Sequence, residues 1–292
     1  MPETLRIDNA GPVVRIWIDR PDVRNALNGT VIAELAAAFA RVAADAPSGR
    51  VRAVVLGGSG KAFCAGADLA FMREMGGYTW EQNRADAEKL AAMLWTLFTC
   101  PVPVVARIHG DCYAGGLGLA AVCDIRVAAD AATFCLSEAR LGLLPATISP
   151  YVVRAMGEQA ARRWFVTAER FDAQAARACG FVHEVVGADA IDAKVDELVA
   201  TIVANGPMAT IECKRLVRDV AGREITAELR AETARRIADI RASDEGQEGI
   251  RSFLEKRKPS WSVPAPTADA VAPLAEGARA GSVRPGDRPG EL

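Results

Sequence analysis

Apolar and polar residues alternate along the start of the chain in a way that is typical of strands. Residues 5–7 and 13–18 show this alternation, and Asn9-Ala10-Gly11-Pro12 separates them, which predicts a β-hairpin. Residues 33–44 are rich in alanine and leucine and predict a helix. The almost wholly apolar run at residues 51–56 ends at a glycine-rich turn, which predicts a buried strand.

The middle of the chain continues with helical and strand patterns in turn. Residues 81–97 carry apolar side chains at helical spacing, Pro101 and Pro103 interrupt the pattern, and Val104–Ile108 predicts a strand. Further short segments predict a helix at 117–122 and strands at 124–127, 133–136 and 181–186. This alternation predicts an α/β fold with parallel connections, and helices dominate from about residue 149.

Composition then limits the class of protein. Of the 292 residues 50% are hydrophobic and 25% charged, and the formal net charge is −2, so the chain has no basic excess for nucleic acid. The N-terminus shows no basic stretch followed by an apolar run, and no run of about twenty apolar residues occurs. We therefore expect a soluble, cytoplasmic protein with no nucleic-acid or membrane partner.

The cysteines support the same compartment. The seven cysteines form no Cys-x-x-Cys pair and lie in apolar stretches, which predicts reduced, buried thiols. The chain has only two histidines, His109 and His183, and no cluster with the spacing of metal ligands, so we expect no metal site. Residues 263–292 lack aromatic residues and any periodicity, which predicts a disordered tail.

Two loops rich in small residues each follow a predicted buried strand. One contains Ala65-Gly66-Ala67 and the other Ala114-Gly115-Gly116. Small residues let backbone N–H groups approach a ligand, and a following helix adds the positive end of its dipole. Two such loops that face each other can donate two hydrogen bonds to one carbonyl oxygen, which constitutes an oxyanion hole.

A third segment, residues 134–145, adds one carboxylate, that of Glu138, among mostly apolar residues. Burying a carboxylate is costly unless the group is paired or has a chemical role. A structural ion pair with the nearby Arg140 is the plain alternative. The order and spacing of the three segments favour a catalytic role instead.

The chain from about residue 3 to residue 261 resembles the enoyl-CoA hydratase/isomerase (crotonase) superfamily. The residues that carry this resemblance are Arg20-Pro21, Asn25-Ala26-Leu27-Asn28, Ala62-Phe63-Cys64-Ala65-Gly66-Ala67-Asp68-Leu69, residues 110–118, Cys123-Asp124-Ile125, Ser137-Glu138, Leu141-Gly142, Pro145, and the final motif at residues 243–259.

The resemblance implies a spiral of ββα units followed by a helical trimerisation region. We expect the spiral core with the acyl-CoA site at residues 1–200, the helical region at 201–262 and the tail at 263–292. A homotrimer or a dimer of trimers is implied. Coenzyme A would enter as part of the substrate, with no other cofactor.

The resemblance also implies a role for single residues. Ala67 and Gly115 would supply the two amides of the oxyanion hole, and Glu138 would be the catalytic carboxylate. The residues expected to bind substrate are Val23, Arg24, Ala65, Asp68, Leu69, Gly118, Phe253 and Lys256.

One departure from the family pattern concerns the reaction. Two-carboxylate hydratases of the family have a second glutamate where this chain has Gly118. Glu138 would then both activate water and protonate C2, unless Asp111, Tyr113 or Ser137 contributes. We expect an enoyl-CoA hydratase; the alternatives are a Δ3-Δ2-enoyl-CoA isomerase, in which one glutamate moves a proton, and a non-catalytic acyl-CoA binding protein.

A finer resemblance concerns the substrate. Residues 145–153 and 167–171 look like a bacterial branch of methylglutaconyl-CoA or isohexenylglutaconyl-CoA hydratases. This similarity implies a branched or carboxylated acyl group such as 3-methylglutaconyl.

Overall fold

Ten short strands form the frame of the computed structural model, which describes residues 2–262; the predicted tail at 263–292 lies outside these residues. In chain order the strands are β1 (Leu5–Ala10), β2 (Val13–Ile18), β3 (Ala53–Gly58), β4 (Ala62–Cys64), β5 (Val104–Ile108), β6 (Asp111–Tyr113), β7 (Ile125–Ala129), β8 (Thr133–Cys135), β9 (Arg170–Asp172) and β10 (Glu184–Val186).

Ten α-helices alternate with or follow these strands in the same described part of the chain. They are α1 (Gly29–Asp45), α2 (Leu69–Met75), α3 (Trp80–Phe98), α4 (Gly115–Ala121), α5 (Ser149–Thr167), α6 (Ala173–Ala178), α7 (Ile191–Ala204), α8 (Pro207–Val220), α9 (Ala227–Ala242) and α10 (Asp244–Leu254). Short 3-10 helices lie at Pro21–Val23, Ala46–Ser48 and Glu138–Leu141.

The strands belong to two sheets, and from β3 onward the chain passes back and forth between them. The larger sheet has the order β1-β2-β3-β5-β7-β10, and the smaller has the order β4-β6-β8-β9. Each of β3, β5 and β7 is followed by one strand of the smaller sheet and then by helical structure. Parallel pairing joins β2 to β3, β3 to β5 and β5 to β7. This repeat confirms the predicted α/β fold built as a spiral of ββα units.

The hairpin and first helix follow the sequence pattern closely. β1 and β2 pair antiparallel, from Leu5 opposite Ile18 to Ala10 opposite Val13. The side chain of Asn28 accepts a hydrogen bond from the amide of Val31 and so caps α1. Helix α1 is longer than the predicted 33–44, because this cap starts the helix four positions earlier, at Gly29.

The strand predicted at residues 51–56 instead begins at Ala53 and continues through Gly57 and Gly58. A side chain at Gly57 would meet the ring of Trp17, with carbon atoms 2.4 Å apart, and one at Gly58 would meet the carbonyl oxygen of Phe63 at 2.5 Å. The two glycines therefore serve close packing within the strand and do not form the turn that ends it.

Helix α7 closes one face of the larger sheet. Ile191, Val195 and Val199 lie on one face of the helix and are buried against β3, β5 and β7 together with residues such as Val55 and Val105. The domain boundary expected at residue 200 falls inside this helix.

The last three helices bury little of their apolar surface within one chain. Helix α8 has no buried residue, whereas α9 and α10 bury only Leu229 and Ser252. Large apolar side chains on or beside these helices are exposed, among them Ile237, Ile250 and Phe253. An exposed apolar surface of this kind is typical of an interface. The trimer expected for this region stays a prediction.

The last predicted strand and the cysteines also differ from the sequence-based predictions. The strand predicted at 181–186 covers only Glu184–Val186, because its pairing with β7 begins at Glu184 opposite Val127; Phe181 and Val182 pack into the main core before it. The cysteines are free, as expected, but only five are buried; Cys179 is half-buried and Cys213 is exposed on α8.

None of the helices between residues 2 and 262 is long and apolar enough to cross a membrane.

Candidate active site

The two loops of small residues lie side by side because the strands before them are neighbours. β4 and β6 pair in parallel, with Cys64 opposite Cys112, so their carboxyl ends deliver both loops to the same edge of the smaller sheet. Gly66 has a φ of +94°, and a Cβ there would lie 3.0 Å from Cβ of Ala114. Only glycine accepts both this conformation and this close approach without strain.

The backbone N–H groups of Ala67 and Gly115 donate no hydrogen bond within the described residues. Neither N–H finds an acceptor among residues 2–262, although neighbouring amides are satisfied. The N–H of Asp68 donates to the carbonyl of Leu27 at 2.8 Å, and that of Ala114 donates to the carbonyl of Cys135 at 2.8 Å. Gly115 begins α4, so its free N–H also lies at the positive end of the helix dipole.

The backbone before Gly115 has an unusual conformation. Ala114 has φ 47° and ψ −116°, a region that residues with a side chain rarely adopt. Such strain costs of the order of 1–3 kcal/mol and clusters at functional sites. Here it accompanies the turn by which β6 enters α4.

Glu138 faces the same cavity as the two amides. It follows β8 as the first residue of the 3-10 helix Glu138–Leu141. Its Oε2 atom is buried and has no hydrogen-bond partner among the described residues. Burial raises the pKa of this carboxyl above the ordinary value of a glutamic acid, only partly offset by a hydrogen bond with its own backbone amide. Arg140 donates to the carbonyl of Ala168 and forms no ion pair with Glu138.

The cavity has a volume of about 350 Å³ and a mostly apolar wall. Its apolar surface includes Ile32, Phe71, Met72, Met75, Leu90 and Ile148. Its polar side chains include Ser137, Glu138, Thr147 and Asp86. A few polar groups in an apolar pocket of this size are typical of a site for a small organic ligand. The part of the chain that the structure describes holds no cluster of three or more candidate metal ligands.

Comparison with known proteins agrees with this arrangement. The model of the enoyl-CoA hydratase/isomerase family matches residues 8–264. An enoyl-CoA hydratase of Alternaria alternata is 33% identical over 84% of this chain and 79% of its own length. A carnitinyl-CoA dehydratase of Citrobacter koseri is 32% identical over 89% of this chain and 99% of its own.

A crystal structure of an enoyl-CoA hydratase from Shewanella pealeana matches with a TM-score of 0.85 and 38% identity, over 89% of this chain and 96% of that one. The chain belongs to the enoyl-CoA hydratase/isomerase family. This confirms the resemblance carried by the sequence motifs and the crotonase-type fold that it implied.

Gly118 is one of the residues expected to bind substrate. Within one chain it lies inside α4 and does not line the cavity. A Cβ at this position would lie 2.2 Å from Cγ2 and 2.9 Å from Cβ of Ile148, and Ile148 itself forms part of the cavity wall. The space that a second glutamate would need is therefore filled by isoleucine.

The three groups considered as a substitute for that glutamate differ in position. Asp111 is paired with Arg24 and accepts a hydrogen bond from Thr133 at 2.6 Å. The hydroxyl of Tyr113 lies 3.0 Å from the carboxylate of Asp111, and neither residue lines the cavity. Ser137, in contrast, does line it.

Of the remaining residues expected to bind substrate, two line the cavity and five do not. Ala65 and Leu69 line the cavity. Asp68 is buried and turned away: it accepts from the amide of Ala70 at 2.8 Å and pairs with Arg20 at 2.8 Å, so it caps α2.

The other four expected residues do not reach the cavity within one chain. They are Val23, Arg24, Phe253 and Lys256. Arg24 lies over the ring of Tyr113 as well as beside Asp111. The side chain of Phe253 is exposed near the end of α10, and Lys256 follows that helix with a φ of 54°.

Sequence reasoning missed one charged residue of the cavity, Asp86. A signal for it exists in the chain. Asp86 stands four positions before Leu90 and seven before Met93, on the inward face of α3. A carboxylate on the apolar face of an amphipathic helix is an exception that the periodicity alone brings out.

Proposed function

We propose that this enzyme adds water across the C2–C3 double bond of a 2-enoyl-CoA thioester. One observation carries the proposal: the unpaired carboxylate of Glu138 faces the same cavity as the free amides of Ala67 and Gly115. A thioester oxygen held by the two amides places the reacting carbons of its acyl chain within the cavity, where the carboxylate can act on them.

The two amides act on the charge that develops during addition. When the oxygen of water bonds to C3, the electron pair of the double bond moves toward C2 and onto the thioester oxygen. Hydrogen bonds from Ala67 and Gly115 stabilise that oxygen as it becomes negative, without any change in their own protonation. Each donor of this kind contributes about 3 kcal/mol to the stability of a transition state.

Glu138 handles the proton at both stages. Its carboxylate takes one proton from the attacking water and later delivers that proton to C2, so that the group returns to its starting form. The raised pKa favours this exchange, because it makes the carboxylate a stronger base toward the attacking water. A single carboxylate suffices for this cycle, which fits the filled space beside Gly118.

The substrate class is set by the thioester and by the wall of the cavity. Met72, Met75 and Leu90 offer apolar contact for a straight or branched acyl chain. The finer resemblance by itself implies branched or carboxylated groups such as 3-methylglutaconyl; the charges of the cavity wall, described below, argue against the carboxylated ones. Coenzyme A is part of the substrate, and we propose no further cofactor.

The family resemblance supports a further proposal about the substrate and the assembly, and the free cysteines support one about the compartment. Val23, Arg24, Phe253 and Lys256 would contact the coenzyme-A portion, the last two from a neighbouring subunit of a homotrimer or a dimer of trimers. We also propose that the enzyme works in the cytoplasm.

Replacement of Glu138 by glutamine tests the proposal. Glu138→Gln keeps the shape of the side chain but removes the base, so turnover of crotonyl-CoA should fall by about 10²- to 10⁴-fold. Affinity for a saturated acyl-CoA, measured by calorimetry, should change little. Glu158→Gln is a matched control, since Glu158 is exposed on α5 and pairs only with Arg162. A Glu138→Gln enzyme that keeps more than a tenth of wild-type turnover would falsify the proposed role.

A second reaction is favoured by the same single carboxylate. In a Δ3-Δ2-enoyl-CoA isomerase, one glutamate moves a proton between C2 and C4 and no water is added. Turnover in water labelled with ¹⁸O separates the two reactions: a hydratase incorporates one labelled oxygen per product, whereas an isomerase incorporates none. Absence of turnover with every 2-enoyl- and 3-enoyl-CoA tested would instead favour a non-catalytic acyl-CoA binding protein.

A further inference from the structure

The cavity contains a second carboxylate, that of Asp86, which the proposed reaction does not use. Asp86 is half-buried on α3 and lines the cavity together with Leu90, one helical turn further along. Its side chain forms no hydrogen bond or ion pair with any residue in the described range 2–262. A partly buried carboxylate without a partner is unfavourable, so its retention in an apolar wall calls for a role.

The charges around the cavity are of one sign. Glu138 and Asp86 both line it, while no lysine, arginine or histidine among the described residues does so. Burial raises the pKa of Asp86; the nearby Lys89 acts against this, and Glu74 on α2 acts with it. Lys89, the cation that acts on Asp86, is exposed on α3 and does not line the cavity.

The two carboxylates occupy separate parts of the cavity. Glu138 follows β8, which belongs to the same sheet as the strands β4 and β6 that lead to the two amides, whereas Asp86 lies on α3. Glu138 lies with the amides of Ala67 and Gly115. Asp86 lies in the second turn of α3, near Glu74 and Tyr78. With the thioester at the two amides, an acyl chain can extend through the cavity to the wall that Asp86 and Leu90 of α3 help to form.

We infer that Asp86 determines substrate specificity by excluding acyl chains that carry a negative charge at their distal end. The preferred substrates are then 2-enoyl-CoA thioesters with an uncharged straight or branched chain, and glutaconyl-type thioesters are disfavoured. A distal carboxylate would lose water on entry and would meet Asp86, with no cation among the described residues of the cavity wall to balance it. This inference rests on the proposed function, because it assumes that the thioester sits at Ala67 and Gly115.

The test uses two thioesters that differ only at the distal end. One is 3-methylglutaconyl-CoA, which has a carboxylate there, and the other is 3,5-dimethylhex-2-enoyl-CoA, in which an isopropyl group replaces that carboxylate. The full-length wild-type enzyme should show a kcat/KM at least about tenfold higher for the isopropyl form. An apolar wall alone would also favour this form, so the variants decide the role of charge.

Asp86→Asn removes the charge and keeps the size of the side chain. It should shift the ratio of the two kcat/KM values at least about tenfold toward the carboxylated form. Glu88→Gln removes a charge from the same helix at an exposed site that pairs with Arg84 and should leave the ratio unchanged. A wild-type preference for the carboxylated thioester, or an unchanged ratio in Asp86→Asn, would overturn the inference.

Failure of the proposed function gives a different result. In that case neither thioester, nor crotonyl-CoA, is turned over by the wild-type enzyme. Selectivity is then measured as the ratio of the dissociation constants of the two saturated thioesters. Calorimetry gives these constants for the wild type, Asp86→Asn and Glu88→Gln. A binding ratio that shifts in Asp86→Asn but not in Glu88→Gln supports the selectivity of Asp86 without any catalysis.

Discussion

The packing of Gly118 against Ile148 leads to a quantitative prediction about stability. Gly118→Ala adds one methyl group at a point 2.2 Å from Cγ2 of Ile148, which is far inside normal contact. Overpacking of this kind costs about 1–3 kcal/mol. Exchanging glycine for alanine in a helix returns about 0.5–1 kcal/mol. We therefore expect the free energy of unfolding to fall by about 1–2 kcal/mol.

Replacement of Ile148 by alanine removes Cγ2, the atom nearest to the methyl group added at position 118. Ile148 is 3% exposed, so Ile148→Ala alone should lower the free energy of unfolding by about 2–3 kcal/mol, near the low end for isoleucine because the residue borders a cavity. In that background the alanine at 118 loses the contact at 2.2 Å and keeps those with Cβ of residue 148, at 2.9 Å, and with Cδ2 of Leu94, at 3.8 Å. The double variant should thus be more stable than the sum of the single losses implies, by about 1–2 kcal/mol.

The wild type, the two single variants and the double variant form a double-mutant cycle. Urea unfolding at one fixed protein concentration gives the free energy of unfolding of each. Gly29→Ala is a matched control at the start of α1, where an added Cβ meets no atom within 4 Å, and it should be neutral or slightly stabilising. A coupling energy below about 0.5 kcal/mol would mean that the two sites are independent, and the packing argument would then be wrong. By the same reasoning, Gly118→Glu should destabilise the fold and supply no second catalytic carboxylate.

Two further predictions concern single carboxylates. Because burial raises the pKa of Glu138 and the base must be ionised, kcat/KM should fall as the pH drops through a value above the ordinary glutamate pKa of about 4.3. A pH profile whose acid limb lies at or below that value would contradict this. Asp68→Ala should lower the free energy of unfolding by about 1 kcal/mol more than Asp68→Asn, since asparagine still caps α2. Equal losses in urea unfolding would exclude the capping role.

Much of the fold and part of the site can be predicted from local sequence. The hairpin, the strand Val104–Ile108 and helix α3 follow directly from the spacing of apolar residues, because that spacing reports which side of each element is buried. The loops at Gly66 and Gly115 are recognisable because close approach of a backbone needs residues without large side chains. Glu138 is recognisable because a carboxylate among apolar residues is rare.

Other features depend on segments that are far apart in the chain. Strands β4 and β6 have three residues each, too few for any periodicity, and pair only because the spiral places them side by side. Asp68 belongs to a family motif, yet its carboxylate turns away from the cavity because Arg20 offers a buried partner.

The most consequential of these features concern Gly118 and Asp86. The pattern around Gly118 shows only a missing glutamate; that Ile148 fills its space follows from the packing of α4 against the start of α5. Asp86 becomes part of the site only when α3 lies across the cavity. Sequence alone indicated most of the buried positions and the groups able to do chemistry, since these depend mainly on one position and its neighbours. The tertiary structure decided which of them meet, because that depends on distances between elements that no local pattern encodes.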